Sequence, residues 1–352
     1  MTVWTVVSTA YNIYLSQKQE GVDYQYRLKL GSLIQVVVFL AMTFSVILPK
    51  SWTLFYFIFV MSNVMISAIG ACLVQVGLIA MVNIQGSFYA NANVVGNAVA
   101  GVLPSISMIL TVLTTNQGSG GRTSQAIKYF LTSVAVTILA MLSTEAMIRS
   151  EKHELEEEVE RDEIEPEEIT RVITDIQKDY VSFSHLWSIL GLVEGTIILT
   201  FSITLAFPIF ASSVESPTMD KKVFIPLAFL IWNLGDLAGR VVCAWPIFVL
   251  KNQRRMIVYS ILRLGFIPLF LGCNIKGRGG GFIGDFAYIV LQFLFGFTNG
   301  QLFSSSFMLV GQLLDTDDEK KAAGGFTALI INVSLLVGSV MSYGVVWKIG
   351  GN

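Results

Sequence analysis

The sequence predicts an all-α protein that crosses a membrane many times, with one helical bundle before a long acidic loop and another after it. Three observations predict this. Hydrophobic residues make up 53% of the 352 and charged residues only 14%, where a soluble domain carries about 25% charged. The apolar residues also gather into runs near the roughly 20 residues that a membrane helix needs. Finally, the charges collect between those runs, above all in residues 150–179.

Taken in order, the chain opens on residues 1–15, apolar from Thr2-Val3-Trp4 onward but too short for a full span. They are expected to be the second part of a span whose start is absent. No positively charged segment with a cleavage site opens the chain, so no removable leader is expected. After a polar loop with Lys18, Arg27 and Lys29, spans are expected at residues 33–48, 54–82, 94–113, 127–147 and 186–212. Further spans follow at 223–250, 256–275, 282–309 and 326–346, about ten in all. The expected organisation is an N-terminal bundle over residues 1–149, the acidic loop over 150–182 and a five-helix bundle over 183–352.

Loop Lys and Arg set orientation. Placing Arg27 in the cytoplasm puts Arg149, Lys152, Arg161, Arg171, Lys251, Arg254, Arg255 and Lys320 there too. Lys50, Arg122, Lys221, Lys222, Lys276 and Lys348 fall on the other side. The acidic loop is then cytoplasmic. Its first half, from Glu154 through Glu168, is a charge run expected to be solvated. In its second half Ile169, Val172, Ile173, Ile176 and Tyr180 recur at helical spacing, which suits a short helix on the membrane surface. Two helical halves joined by such a loop is the arrangement of many secondary transporters.

Several functions are excluded. No basic stripe supports nucleic-acid binding. Cys72, Cys243 and Cys273 sit in apolar runs at unrelated spacings, and with only His153 and His185 besides, neither a disulfide frame, a metal centre nor a cofactor is expected. The Gly-rich stretch Gly118-Ser119-Gly120-Gly121 lacks the Lys-Ser/Thr ending of a phosphate loop and is expected to be a connection.

Polar residues inside the spans carry the functional signal. Asp236 and Arg240 stand four apart on one helical face, with Asn233 one turn earlier. A charge at the centre of a membrane helix costs roughly 2.5–3.5 kcal/mol, so such residues either line a polar path or lock two helices together. Gln75 offers a donor and an acceptor to a flat heterocycle edge, or glues two helices. Arg263 and Glu194 are expected to be gate or structural residues. Asn97, Gly101 and Ser105 form a small face for close packing, and Ser304-Ser305-Ser306 follows Asn299 with hydroxyls.

Together these motifs resemble the equilibrative nucleoside transporters. Asp236-Leu237-Ala238-Gly239-Arg240 followed by Trp245-Pro246 is similar to their eighth span. Arg263-Leu264-Gly265-Phe266-Ile267-Pro268, running to Cys273-Asn274-Ile275-Lys276, is similar to the ninth, and Phe297-Thr298-Asn299-Gly300 to the tenth. Gly70-Ala71-Cys72-Leu73 with Gln75, then Tyr89 and residues 96–101, resemble the fourth and fifth. The stretch 93–105 looks most like the fungal branch, which includes transporters of the vacuolar membrane. The resemblance implies an eleven-span fold like that of the major facilitator superfamily, and facilitated passage of nucleosides, possible nucleobases included, by alternating access. It implies that Asp236 and Arg240 bind the ribose hydroxyls, that Gln75 reads the base edge and that Leu335 lines the pocket. Asn233 joins this substrate-binding set, while Arg263, Gly70, Gly239 and Asn299 are gate or structural residues. The partners implied are nucleosides such as adenosine and uridine and the lipid bilayer of a vacuolar, other intracellular or plasma membrane, with no obligate protein partner.

The sequence departs from the family at two points. The first span, with its tryptophan, has no counterpart, and Gln75 lies one residue further from Gly70 than in the animal pattern. The competing reading is therefore a truncated, non-transporting fragment or scaffold. A remoter one is an intramembrane aspartyl protease, from Gly235-Asp236 and Gly284-Asp285. Arg240, one turn from Asp236, works against the shared proton such catalysis needs.

Overall fold

The computed structural model describes residues 2–46, 53–114, 119–160, 176–205, 207–277 and 283–350. Its elements are nearly all helical: α1 (Thr2–Gln17), α2 (Tyr24–Ser45), α3 (Thr53–Gln85), α4 (Ser87–Thr114) and α5 (Ser119–Glu160), then α6 (Phe183–Thr204), α7 (Phe207–Ser213) and α8 (Lys221–Val241). After these come α9 (Gln253–Leu262), α10 (Phe266–Leu271), α11 (Asp285–Val310) and α12 (Asp317–Gly350). Among the described residues, seven segments are long and apolar enough to cross a membrane. Their outward side chains suit lipid: on α5, Val136, Ile138, Leu139 and Leu142 are all exposed. The Gly-rich stretch to Gly118, and the acidic loop from Arg161 to Asp175 with Ile169, Val172 and Ile173, lie outside the described residues.

Proline explains where expected spans break. The run over 186–212 divides into α6 and α7, with Pro208 in the second position of α7, where its missing N–H is tolerated. The run over 256–275 divides at a 3-10 turn, Arg263–Gly265, because Pro268 cannot bond back to Leu264. Helix α8 stops at Val241 rather than near Leu250. A 3-10 turn, Val242–Ala244, follows, and Trp245 is extended as a residue before proline must be.

The chain forms two compact units. The first comprises Met1–Met81, Gln117–Val181 and Gly324–Leu329. In it α2 and α3 touch backbone to backbone: a Cβ on Gly31 would lie 2.6 Å from the Gly70 carbonyl oxygen, and one on Gly70 would lie 2.8 Å from Ile34. Gln35 and Ser67 bond across the same contact at 2.7 and 3.1 Å. Lys29 of α2 pairs with Glu145 of α5 at 2.7 Å. The same unit holds a two-stranded antiparallel clip, β1 (Val22–Asp23) against β2 (Ile176–Gln177). Buried Gln177 fastens it, accepting from Tyr24 Oη at 2.6 Å and donating to Gln19 at 3.1 Å. Of the surface helix expected over 169–180, the described part is therefore strand at Ile176–Gln177, and exposed Tyr180 lies outside any helix.

The second unit comprises Val82–Asn116, Ser182–Ala323 and Ile330–Asn352. Its packing differs from the division expected at the acidic loop, since α4 belongs with α8 and α11. An aromatic core of Phe210, Phe224, Phe270, Tyr288 and Phe295 fills it, with Phe210 and Phe270 stacked at 5.1 Å. Helix α12 starts on a capping box in which Thr316 and Glu319 bond each other's backbone N–H, and Glu319 also bonds His185 at 2.6 Å.

Candidate functional site

Helix α8 carries the central pair. Asp220 caps its start by accepting from Lys222 N at 2.8 Å, and α8 then lies against α11 at the closest approach two helices allow. Gly235 and Gly239 on α8 face Gly296 and Gly300 on α11. A Cβ on any of the four would collide with a backbone oxygen of the other helix, those of Phe293, Phe297, Trp232 and Asp236 respectively. Small residues at four-residue spacing on both helices make such a seam possible. Its consequence for chemistry is that short side chains reach across it.

Asp236, 3% exposed, is held from both sides. Arg240 Nη2 pairs with its Oδ2 at 2.8 Å, and Asn299 Nδ2, across the seam on α11, donates to its Oδ1 at 2.6 Å. Arg240 also donates to the Val94 carbonyl on α4 at 2.6 Å, and its guanidinium lies 4.6 Å from the centre of the Phe303 ring. Asn233, one turn earlier, is half-buried and donates to Ser105 on α4 at 3.0 Å and to Phe229 O at 2.8 Å. The small face of α4 expected from Gly101 and Ser105 thus receives Asn233.

Arg263 joins the same network. Only 1% exposed, it does not snorkel to a membrane surface. It donates to the Thr200 carbonyl at 3.3 Å, the Phe295 carbonyl at 3.3 Å, Thr298 Oγ1 at 3.2 Å and Thr204 Oγ1 at 3.4 Å. Thr204 in turn donates to Asn299 Oδ1 at 2.6 Å. The one Thr204 hydroxyl proton is shared between Asn299 Oδ1 and the Thr200 carbonyl at 2.7 Å. When it is turned to Asn299 the donors run in one direction, Arg263 to Thr204 to Asn299 to Asp236, and meet Arg240 at the carboxylate. Chains of this kind polarise each member in the same sense.

Two features leave the pair open to a ligand. A carboxylate has about four lone-pair positions, and Arg240 and Asn299 occupy two of them. Arg240 Nε is buried and has no acceptor. Acceptor positions and a vacant donor side by side match vicinal hydroxyls, which both donate and accept.

The remaining expected residues fall as follows. Leu335 is half-buried on α12, beside Ser334, whose carbonyl accepts from Ser202 at 3.1 Å. Gln75 is half-buried on α3 in the first unit, and Gly70 there is a close-packing residue against α2. Glu194 is fully buried on α6. Asp285 begins α11 and accepts from Ser216 and Thr218 at 2.5 and 2.8 Å. It stands 14 residues, about 21 Å along the helix, from the Asn299 that holds Asp236, so no carboxylate dyad is assembled. Among the described residues no group of His, Cys, Asp and Glu is placed to hold a metal. Sequence reasoning missed Thr204, Phe303 and the Val94 carbonyl. A hydroxyl, a ring and a backbone oxygen carry no local signal; the four-residue spacing of Gly296 and Gly300 is present in the sequence but was not read as a seam.

A family profile described as nucleoside transporter matches residues 60–347. This chain belongs to the nucleoside transporter family. Within it, the chain is 35% identical to nucleoside transporter FUN26 of Saccharomyces cerevisiae over 97% of this chain and 74% of that protein. It is 28% identical to equilibrative nucleoside transporter 1 of Mus musculus over 96% of this chain and 79% of that one. Among solved structures, the fucose:proton symporter of E. coli matches with a TM-score of 0.54 at 15% identity, over 100% of this chain and 84% of the symporter. A second structure of that protein, described as a major facilitator superfamily transporter in an outward conformation, matches at 0.53. This member of the nucleoside transporter family therefore has the helical fold of the major facilitator superfamily.

Proposed function

We propose that the protein carries nucleosides such as adenosine and uridine across its membrane by alternating access, as a uniporter. The observation that carries the proposal is the buried Asp236–Arg240 pair, with spare carboxylate lone pairs beside an Arg240 Nε–H that has no acceptor. A ribose 2′,3′-diol would donate to Asp236 and accept from Arg240, both charge-assisted bonds. Family membership, and relatives described as nucleoside transporters, support the substrate class. Gln75 reads the base edge, Leu335 supplies an apolar wall and Asn233 fixes the pair against α4. Arg263, Gly239, Gly70 and Asn299 hold the arrangement or gate it. The acidic loop is cytoplasmic by its flanking charges, and the membrane is a vacuolar, other intracellular or plasma membrane.

Reconstitution tests this. The purified chain in liposomes takes up labelled adenosine and uridine saturably, each competes with the other, and uptake stops at equal concentrations inside and out. Uptake no greater than in empty liposomes would refute the proposal.

A further inference from the structure

Helix α1 is built the wrong way round for a helix that only packs. Val3, Val6, Ile13 and Tyr14 are exposed, while Thr5, Ser8, Asn12 and Ser16, spaced along one face, are each 5% exposed or less. The exposed side is apolar, and apart from Leu15 the buried side is polar.

The hydroxyls on that side are accounted for locally. Ser8 Oγ donates to Thr5 O at 3.0 Å and Ser16 Oγ to Ile13 O at 2.9 Å, as hydroxyls on membrane helices do. Asn12 is different. It is 0% exposed, and neither its Nδ2 nor its Oδ1 has a hydrogen-bond partner. Nearly all buried polar groups in proteins are bonded, and in a bilayer no bulk water makes up the loss. A buried amide with both ends vacant is costly to keep.

The surroundings of Asn12 belong to the first unit. One turn before it, the Ser8 carbonyl accepts from Cys72 Sγ at 3.5 Å. One turn after it, Ser16 lies against Gly325, where a Cβ would sit 3.4 Å from Ser16 Cα and 3.8 Å from Val76. Asn12 therefore lies on the face of α1 turned to the Cys72–Val76 side of α3. Gln75, three residues from Cys72, shares that side.

We propose that Asn12 is a substrate-contacting residue, whose amide hydrogen-bonds the base of the nucleoside in transit. The proposal rests on the nucleoside-transport reading above. An amide offers a donor and an acceptor a fixed distance apart, which matches the edge of a purine or pyrimidine better than it matches a lone hydroxyl.

The test compares wild type with Asn12→Leu and Asn12→Ser in liposomes, measuring KM for adenosine, inosine and uridine, and follows thermal unfolding in detergent with and without nucleoside. Asn12→Leu is expected to unfold no earlier than wild type without nucleoside, because it removes an unpartnered amide. Its KM should rise about tenfold, the worth of one hydrogen bond, by unequal factors for the three nucleosides. The thermal gain on adding nucleoside should shrink. Asn12→Ser should fall between, and it decides the matter if the leucine variant does not fold. Unchanged KM values in both variants, or a loss of stability with the nucleoside ranking intact, would overturn the proposal while leaving transport itself standing. Wild type that moves no nucleoside removes the transport reading, and this proposal with it.

Discussion

At the scale of single residues, the carboxylate of Asp236 is where Arg240 of its own helix and Asn299 of α11 meet. Asp236→Ala leaves Arg240 buried without its counter-ion, a loss of about 3–5 kcal/mol in comparable buried pairs, and should abolish uptake. Asp236→Asn keeps one acceptor and should leave a few per cent of the wild-type rate. Initial-rate uptake at matched protein density separates the two, and wild-type transport by the alanine variant would remove Asp236 from the site. Arg263 reaches the same carboxylate through two intermediates, Thr204 and Asn299. Arg263→Lys cannot reach four acceptors with one ammonium, so its kcat should fall with little change in KM. A KM effect as large as that of Asp236→Asn would place Arg263 against the substrate instead. The Asp236–Arg240 relation was legible in the sequence because it is local, four residues on one helix. Asn299 stands 63 residues from Asp236, and Thr204 stands 95 from the Asn299 it bonds; nothing in a single sequence signals such contacts.

At the scale of elements, the α8–α11 seam sets the precision of the site. Gly300→Ala would drive a methyl against the Asp236 backbone oxygen. Overpacking of this kind costs about 1–3 kcal/mol, and the helices would part just where Asn299 reaches across. Expected outcomes are a lower unfolding temperature in detergent and uptake reduced at least tenfold. By contrast, Gly96→Ala, with open space around its Cβ, should be silent in both assays. Apolar runs located every long helix from the sequence, since lipid imposes length and hydropathy directly. The breaks at Pro208 and Pro268 were less legible, because proline is tolerated in some membrane helices and α4 runs unbroken through Pro104. The β1–β2 clip was not legible at all. Two residues carry no periodicity, and their partners lie more than 150 positions away.

At the scale of the molecule, the expected mode of transport is downhill. Asp236 is tied to Arg240 at 2.8 Å, so the carboxylate enters the proposed site as one half of an ion pair. An inward proton gradient imposed on the liposomes should change initial uptake less than about twofold and drive no accumulation beyond equilibrium, as the proposed uniport requires. Accumulation against the nucleoside gradient would overturn this. The first unit also carries a consequence for how the chain is made. Gly324 rests on Ala80 and Gly325 on Ser16 and Val76, so a patch formed by α1 and α3 is closed by α12, more than 200 residues further along the chain. At about 5–20 residues per second, the ribosome delivers that stretch roughly 12–50 seconds after Ala80. Helices α1 and α3 are therefore completed by a stretch made long after them, and until then the patch that Gly324 and Gly325 cover stays open.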